Sequence, residues 1–323
     1  MTTPDVQPTG RVVLREEVTP WDTFEHVAES VLADVTTKFQ HVQLLRTRAF
    51  GTVLVLDGIC QSSSVDEFIY HETIVHPAMA AFGNPKQVLV LGGAEGATIR
   101  EVLRWPSVEQ VTMVDIDEEL VALCRELLPD WAEGAFEDSR TRLALGDAVA
   151  FLRDGDERFD VIIADMSDPV EDGPATFCFT KEFFESVQRR LTVGGVFVLQ
   201  AGPASPAELL LHAKVLRTLA TVFADVDSYL CPATIYGRPL GLAMASDSPI
   251  FDRLQRAGNN AAALPVADTW RYLTAQTLAG HLGIPGYLRS EIAASSEIYR
   301  DAAPPLTDSA GAWAFTDAGR TDD

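Results

Sequence analysis

The chain has 323 residues, 47% of them hydrophobic, which is enough for one large domain or two modest ones with a sizeable core. Its formal net charge of −22 argues against nucleic acid, whose phosphates need basic neutralisation, and against anionic membrane surfaces. The charge is compatible with a cationic ligand, because a negative field concentrates cations, although simple solubility or a salt-adapted host explains it equally well.

Signals for export or membrane insertion are not recognisable in the sequence. Apolar runs stay below the about 18 residues of a membrane span, and the start, MTTPDVQPTG, lacks the basic-then-apolar order of a signal peptide. Cys60, Cys124, Cys178 and Cys231 are far apart and show no metal-ligand spacing. We expect free thiols in a reducing compartment, hence a cytoplasmic protein, with a reactive or bridged pair as the alternative.

The first part of the chain predicts a small β-domain over residues 1–65. VVLREEV, HVQLLRTRAF and TVLVLDGICQS are rich in strand formers, and Asp57 with Gly58 offers a turn. The next stretch, DEFIYHETIVHPAMAAF, has apolar residues at helical spacing, with Asp66 and Glu67 at its positive N-terminal end. We therefore predict a connecting helix over residues 66–84.

Strands and helices alternate through most of residues 85–323. In order they are QVLVLG, ATIREVLRW, QVTMVDI, DEELVALCRELL, TRLALG, DAVAFLRD, FDVIIAD, KEFFESVQRRL and GVFVLQAG. A helix, the strands ADVDSYL and LGLAMAS, and a helical and irregular tail follow. The pattern predicts an α/β domain with a Rossmann-like, methyltransferase-type parallel sheet and helices on both faces.

Five acidic residues follow or close the predicted parallel strands. They are Glu95, Asp115, Asp147, Asp165 and Asp168. Ligands of open α/β sheets bind where the strands end at their carboxyl side, so these side chains are expected at one edge of the sheet.

Two of the five suit a nucleoside. Asp115 closes the second strand twenty residues after Glu95, the usual place for an acid that binds both ribose hydroxyls, or else it caps the next helix. Asp147 caps a helix or reaches an adenine amino group. The glycine-rich turn from Gly92, GGAEG, fits close backbone approach to a ligand, yet it is not GxGxxG and such turns occur without ligands.

The other three acids need a counter-charge. Glu95, Asp165 and Asp168 in one cleft would repel one another and shift their pKa values, unless some of them cap helices or turns elsewhere. A nucleoside with a sulfonium and an ammonium, together with a cationic amine, would satisfy the group. No cluster of residues in the sequence suggests a metal.

From about Val12 to Pro305 the chain resembles the polyamine aminopropyltransferases, the spermidine synthase family. The likeness rests on FQHVQLLRTRAFGTVLVLDGICQSSSVDEFIYHETIVHP, GGAEGATIRE, VDID, GDA, DMSDPV, KEFFESVQRRLTVGGVFVLQAGPAS and RYLTAQTLAGHLGIP. Within the family, Glu95 with His71 and QAGPAS is more similar to the thermospermine-synthase-like branch than to the usual spermidine synthases.

The resemblance implies polyamine biosynthesis with decarboxylated S-adenosylmethionine as co-substrate and no prosthetic group or metal. The aminopropyl group of this donor would pass to putrescine to give spermidine, or to spermidine to give thermospermine or spermine, with release of methylthioadenosine. Glu95 would pair with the ammonium of the aminopropyl arm and repel the carboxylate of ordinary S-adenosylmethionine. The remaining residues implied for the donor site are Gln61, His71, Gly92, Asp115 and Asp147.

The resemblance also implies an acceptor site and an oligomer. Asp165 would take or hold the proton of the acceptor amine, while Asp168 and Tyr70 orient its nitrogen. Gln40 falls in the substrate groove, although it is also explained as a strand polar residue; Tyr70 and His71 are likewise explained as helix-face core residues. A homodimer or homotetramer is expected.

Some positions depart from the family pattern. Ala94 replaces a usual third glycine, and Val65 replaces a common arginine. Ile235 or Tyr236 falls near an acceptor-contacting aromatic position, depending on alignment. The loop DMSDPVEDGPATF is either a lid that excludes water or a plain surface loop.

Two other functions remain open at this point. The same sheet serves methyltransferases that use intact S-adenosylmethionine on a small molecule, and donor preference distinguishes them. A non-catalytic paralogue that binds polyamines or a protein would show no turnover, although Asp165 and Asp168 argue against it.

Overall fold

A computed structural model describes residues 5–6, 12–19, 22–169, 173–260, 264–280 and 283–305. Its first sheet has six antiparallel strands paired in chain order. They are β1 (Asp5–Val6), β2 (Val12–Thr19), β3 (Asp22–Thr36), β4 (His41–Thr47), β5 (Gly51–Leu56) and β6 (Ile59–Ser63). The sheet encloses a small apolar core of its own, made of Leu14, Ala28, Leu45, Val53, Val55, Cys60 and Ile235.

A buried helix, α1 (Glu67–Phe82), follows the first sheet. Its Ile74 and Val75 belong to one apolar cluster with Leu44 of β4 and with strand residues of the second sheet, so α1 packs between the two sheets. The carboxylate of Glu72 accepts backbone hydrogen bonds from residues 271, 272 and 273 at 2.7, 2.9 and 2.9 Å. These bonds attach the C-terminal segment to α1.

The second sheet has seven strands in the order β12-β13-β11-β10-β7-β8-β9. Their bounds are β7 (Gln87–Gly92), β8 (Gln110–Asp115), β9 (Thr141–Leu145), β10 (Phe159–Asp165), β11 (Leu191–Pro203), β12 (Asp225–Cys231) and β13 (Leu240–Ser246). The five strands β11, β10, β7, β8 and β9 are neighbours in that order and run parallel, which confirms the predicted Rossmann-like sheet. β13 runs antiparallel to β11 and β12, because the short connection from β12 leaves no room for a parallel crossover.

Helices cover both faces of this sheet. They are α2 (Ala97–Leu103), α3 (Glu118–Leu127), α4 (Pro129–Ala132), α5 (Ala148–Asp154), α6 (Lys181–Arg190), α7 (Leu210–Leu219), α8 (Ile250–Asn259), α9 (Ala275–Gly280) and α10 (Gly286–Ala294). Along β7, Val88 and Val90 face the cluster that contains α1, α2, α3 and α8, whereas Leu89 and Leu91 face the cluster that contains α5, α6 and α7. Burial on both faces explains why the strands are continuously apolar.

The strand order reverses between β7 and β10. From β7 the chain proceeds through β8 and β9 to one edge, then returns to β10 on the other side of β7. Such a switch point opens a crevice at the carboxyl ends of the two strands, which is where open α/β sheets bind ligands. Glu95 follows β7 and Asp165 closes β10, so both residues flank this crevice.

The structure shows the state of the cysteines and the lengths of the helices. All four cysteines are buried free thiols. Among the helices in the described ranges, none has the length and apolarity needed to cross a membrane. The predicted lid includes residues 170–172, which lie outside the described residues.

Candidate active site

A cleft at the switch point brings the predicted site residues together. Its wall contains all five strand-end acids, Glu95, Asp115, Asp147, Asp165 and Asp168. It also contains Gln40, Gln61, Tyr70, Gly92 and Tyr236. Only His71, among the residues predicted for the site, lies behind this wall, with no exposed side-chain surface.

The glycine-rich turn lies tightly against the end of β10. Gly92 has φ +81°, and a Cβ there would lie 2.2 Å from the backbone oxygen of Asp165. Only glycine fits this conformation and this approach. Ala94 belongs to the apolar cluster on the α1 side and also lines the cleft, so the residue that departs from the family pattern lies where the core meets the ligand space.

Glu95 is held by an ion-pair chain that starts on α1. Nε2 of His71 lies 3.2 Å from Oε1 of Glu95, and Nδ1 lies 2.8 Å from both the backbone oxygen and Oε2 of Glu67. Acceptors therefore surround both ring nitrogens, which requires both to carry hydrogen, as in an imidazolium. Nη2 of Arg100 donates to Oε2 of Glu67 at 2.9 Å and completes the chain.

The charge state of His71 agrees with this geometry. Burial lowers its pKa, but the hydrogen bonds to Glu67 and Glu95 outweigh burial and raise the pKa to about 10. Burial raises the pKa of Glu67, whereas its bonds to His71 and Arg100 lower it to about 2. Since buried charges need partners, the chain fixes the carboxylate of Glu95 at the cleft wall.

Asp165 is anchored through both carboxylate oxygens. Tyr70 donates its hydroxyl to Oδ1 at 2.8 Å, and Thr98 of α2 donates to Oδ2 at 2.5 Å. Burial, and then the negative charge of Glu95, raise the pKa of Asp165, although the His71 cation opposes the shift. A fixed carboxylate with a raised pKa can accept a proton in the cleft.

A second group of residues lies around Asp168. Nε2 of Gln200 donates to Oδ1 of Asp168 at 2.8 Å, and burial raises the pKa of this carboxyl. The Tyr236 hydroxyl donates to the backbone oxygen of Gln61 at 3.0 Å, and its ring centroid lies 5.9 Å from that of Tyr70. Ile235 is buried in the core of the first sheet, so the aromatic residue at the cleft is Tyr236.

The acids at the other end of the cleft differ in burial. Asp115 is nearly buried, and burial raises its pKa to about 7, although it accepts the backbone N–H of Asp117 at 2.9 Å. Asp147 is exposed and caps α5, accepting the N–H of Val149 at 2.8 Å. The cap predicted as an alternative for Asp147 is therefore formed, and the side chain still lines the cleft.

Gln40 contributes to the contact between the two sheets. Its Nε2 donates to Oδ2 of Asp117 at 2.9 Å, and Thr37 donates to the same oxygen at 2.6 Å. Oδ1 of Asp117 caps α3. Gln40 therefore lines the cleft while it holds the first sheet against the second.

Several cleft residues were not singled out from the sequence. They are Glu16, Cys60, Gln200 and Arg238 in the cleft wall. Behind the wall, Thr98 supports Asp165, and Glu67 and Arg100 continue the chain behind Glu95. The spacing of Glu67 and His71 by one helical turn was a usable signal for their pairing. The rest depend on contacts between distant segments.

The fold and this cleft define a class: a Rossmann-like transferase whose acidic site suits cationic ligands. Comparison with known proteins assigns the family. The spermine/spermidine synthase domain model matches residues 67–251, and the spermidine synthase tetramerisation domain model matches residues 13–64. The chain belongs to the spermine/spermidine synthase family, and it is an aminopropyltransferase.

Individual relatives agree with the family. A polyamine aminopropyltransferase of Synechococcus sp. is 47% identical over 300 residues, covering 90% of this chain and 96% of that protein. One from Aeropyrum pernix is 45% identical over 226 residues, covering 70% and 71%. A crystal structure of a spermidine synthase in complex with the transition-state analogue AdoDATO has a TM-score of 0.82 at 26% identity, covering 91% of this chain and 99% of that one.

Proposed function

We propose that the protein transfers the aminopropyl group of decarboxylated S-adenosylmethionine to a polyamine, and that spermidine is its acceptor. The observation that carries this proposal is the meeting of Glu95 and Asp165 at the switch point, with Asp168 beside them in one cleft. A cleft so rich in carboxylates favours ligands that bring several positive charges. The AdoDATO complex of the related spermidine synthase supports the choice of donor.

The donor would lie along the carboxyl ends of β7, β8 and β9. Asp115 would accept hydrogen bonds from the ribose hydroxyls, and Asp147 would meet the adenine amino group. The backbone at Gly92 would approach the sulfonium, and Gln61 would contact the donor or the groove wall. His71 would act through Glu95, which pairs with the ammonium of the aminopropyl arm.

The chemistry would be a direct displacement. An acceptor amine has a pKa near that of lysine, about 10, so it arrives protonated and cannot attack. Asp165 would take the proton while Tyr70, Asp168 and Tyr236 orient the nitrogen. The nitrogen lone pair then forms a bond to the carbon beside sulfur, and the carbon–sulfur electrons leave with sulfur as neutral methylthioadenosine.

The acceptor end favours a triamine, in agreement with the likeness to the thermospermine-synthase-like branch. A third carboxyl, Glu16 of β2, lines this end and is coupled electrostatically to Asp168. Asp165, Asp168 and Glu16 together offer one carboxyl group for each amine of spermidine. Putrescine has only two amines, so one of the three carboxyls would have no amine to bind and would keep only its partners within the protein, such as the Cys60 N–H that donates to Oε2 of Glu16 at 3.2 Å.

An acceptor competition tests this proposal. Decarboxylated S-adenosylmethionine is offered with putrescine, agmatine, cadaverine and spermidine together, and products are identified by mass spectrometry. We expect methylthioadenosine and a product heavier than spermidine by one aminopropyl unit. Glu16→Gln should raise the KM for spermidine about 10-fold, because one charge-assisted contact is weakened.

The matched control is Glu17→Gln, the exposed neighbour on the same strand, which should leave the KM unchanged. Preference for putrescine would overturn the triamine assignment alone. Turnover only with intact S-adenosylmethionine would favour the methyltransferase alternative, and donor binding without turnover would favour a non-catalytic paralogue.

The outer face of the first sheet is proposed as the interface of a homodimer or homotetramer. β3 exposes four large apolar side chains, Val27, Val31, Leu32 and Val35. This segment lies within the region that matches the tetramerisation domain model. Exposed apolar patches of this kind are typical of interaction surfaces.

Leu32→Asp should dissociate the oligomer, because a charge would be buried at the interface without a partner. We expect the mass measured by light scattering after gel filtration to fall by a factor of two or more. Leu127→Asp on α3 is the matched control, since Leu32 and Leu127 are 44% and 41% exposed. Equal masses for both variants and the unmodified protein would reject β3 as the interface.

A further inference from the structure

Three potential metal ligands meet inside the first sheet. Glu16 of β2, His26 of β3 and Cys60 of β6 are 4%, 5% and 2% exposed. One ligand atom from each residue lies within 4.8 Å of the other two. Glu16 and His26 lie on the paired strands β2 and β3, whereas Cys60 is 44 residues after Glu16 on β6, which is not paired with either strand, so the fold of the sheet brings it to them.

The surroundings make this polar group unusual. Leu14, Ala28 and Val55 belong to the same enclosed cluster as Cys60, and the His26 ring packs edge-on against Phe24 and Phe50. Nε2 of His26 is buried with no hydrogen-bond partner. Leaving a buried polar atom without a hydrogen bond costs about 1–3 kcal/mol, so the unpaired Nε2 of His26 points to a ligand that binds it.

The three donor atoms match the preferences of one ion. Zinc binds imidazole nitrogen, thiolate sulfur and carboxylate oxygen at about 2.0–2.3 Å, which places tetrahedral ligands about 3.5 Å apart. Side-chain shifts of about 1 Å would bring the present atoms to that spacing. A thiolate and a carboxylate also balance the two positive charges of the ion, which makes its burial tolerable.

We propose that Glu16, His26 and Cys60 form a binding site for a divalent zinc ion at the acceptor end of the cleft. Binding needs no redox partner: the thiol proton of Cys60 leaves to solvent and a zinc–sulfur bond forms. Burial raises the pKa of the Cys60 thiol well above its ordinary value, so zinc displaces the proton that this thiol holds in the metal-free site.

Zinc at this position hinders binding of the acceptor amine. Glu16 and Cys60 also line the cleft, and Glu16 is coupled electrostatically to Asp168. The bound ion neutralises Glu16 and repels a cationic amine, so zinc inhibits in competition with the acceptor. This inhibition rests on the proposed function, whereas the binding of zinc does not.

Cobalt(II) is the probe for the binding step, since it enters zinc sites and its absorption reports a thiolate ligand. Titration of the full-length protein should give a thiolate-to-cobalt charge-transfer band that saturates at one ion per chain and disappears on addition of zinc. His26→Gln and Cys60→Ala should each weaken binding about 100-fold or more, because even second-sphere changes cost 10–100-fold. His41→Gln and Cys124→Ala, at a half-buried histidine and another buried cysteine, are the matched controls.

The site is rejected if the unmodified protein gives no thiolate band, a result that does not depend on the folding of any variant. It is also rejected if binding survives both substitutions, or if Glu95→Gln abolishes it, because His71, Glu95 and Asp165 form another group of possible ligands.

Inhibition is then measured separately. Zinc should raise the KM for spermidine about 10-fold in the unmodified protein and not in His26→Gln. If zinc binds without raising the KM, the proposed inhibition is wrong and the proposed zinc site stands. Binding in a protein with no transfer activity overturns the proposed function instead.

Discussion

Asp165→Asn is expected to lower the turnover of aminopropyl transfer about 1,000-fold, with binding of the donor retained. General-base catalysis contributes about 100- to 10,000-fold, and an amide cannot take the proton of the acceptor. The substitution preserves shape: Tyr70 can still donate to Oδ1, and the Thr98 hydroxyl can turn to accept from the new amide. Turnover is followed as methylthioadenosine, and binding of the donor by calorimetry in the absence of an acceptor.

The pH profile separates a lost base from a damaged site. In the variant, the residual rate should rise with pH toward about 10, as the free acceptor amine becomes available in solution. The control is Asp160→Asn on the same strand, whose carboxylate accepts bonds from the backbone of Lys86 and the hydroxyl of Thr192. An Asp165→Asn enzyme that keeps a tenth or more of its turnover would exclude the proton-accepting role.

The placement of the acids could be predicted because it depends on local pattern. Each follows or closes an apolar strand in an alternating β/α order, and the carboxyl ends of parallel strands share one edge. The direction of β13 could not be read in the same way. Its residues are buried on both faces, so its composition is the same for a parallel and an antiparallel neighbour.

Contacts between distant segments could not be predicted from the sequence. Gln40 and Asp117 are 77 residues apart, and Arg100 and Glu67 are 33 apart, with no shared periodicity. The sequence does not show whether Ile235 or Tyr236 faces the cleft. The short 3-10 turn decides this, because it points Tyr236 to the cleft and Ile235 to the core. Register across the first sheet likewise decided which polar residues meet inside it.

Glu95→Gln is expected to abolish the preference for the decarboxylated donor. The affinity for that donor should fall about 10- to 100-fold, since a hydrogen bond to a charged group contributes about 1.5–3 kcal/mol. The affinity for intact S-adenosylmethionine should rise, because the repulsion of its carboxylate is removed. Both are measured by calorimetry in the absence of an acceptor.

His71→Gln is the informative companion variant. Glu95→Gln removes charge but keeps an oxygen that can accept the N–H from Nε2 of His71, so the turn should stay in place. His71→Gln keeps the charge of Glu95 and removes the imidazolium that lies beneath it. Preference for the decarboxylated donor should therefore survive in His71→Gln, while stability falls because Glu67 loses a buried partner. If both variants lose the preference, the charge of Glu95 selects the donor only while His71 holds it in position; if neither does, another part of the cleft excludes the carboxylate.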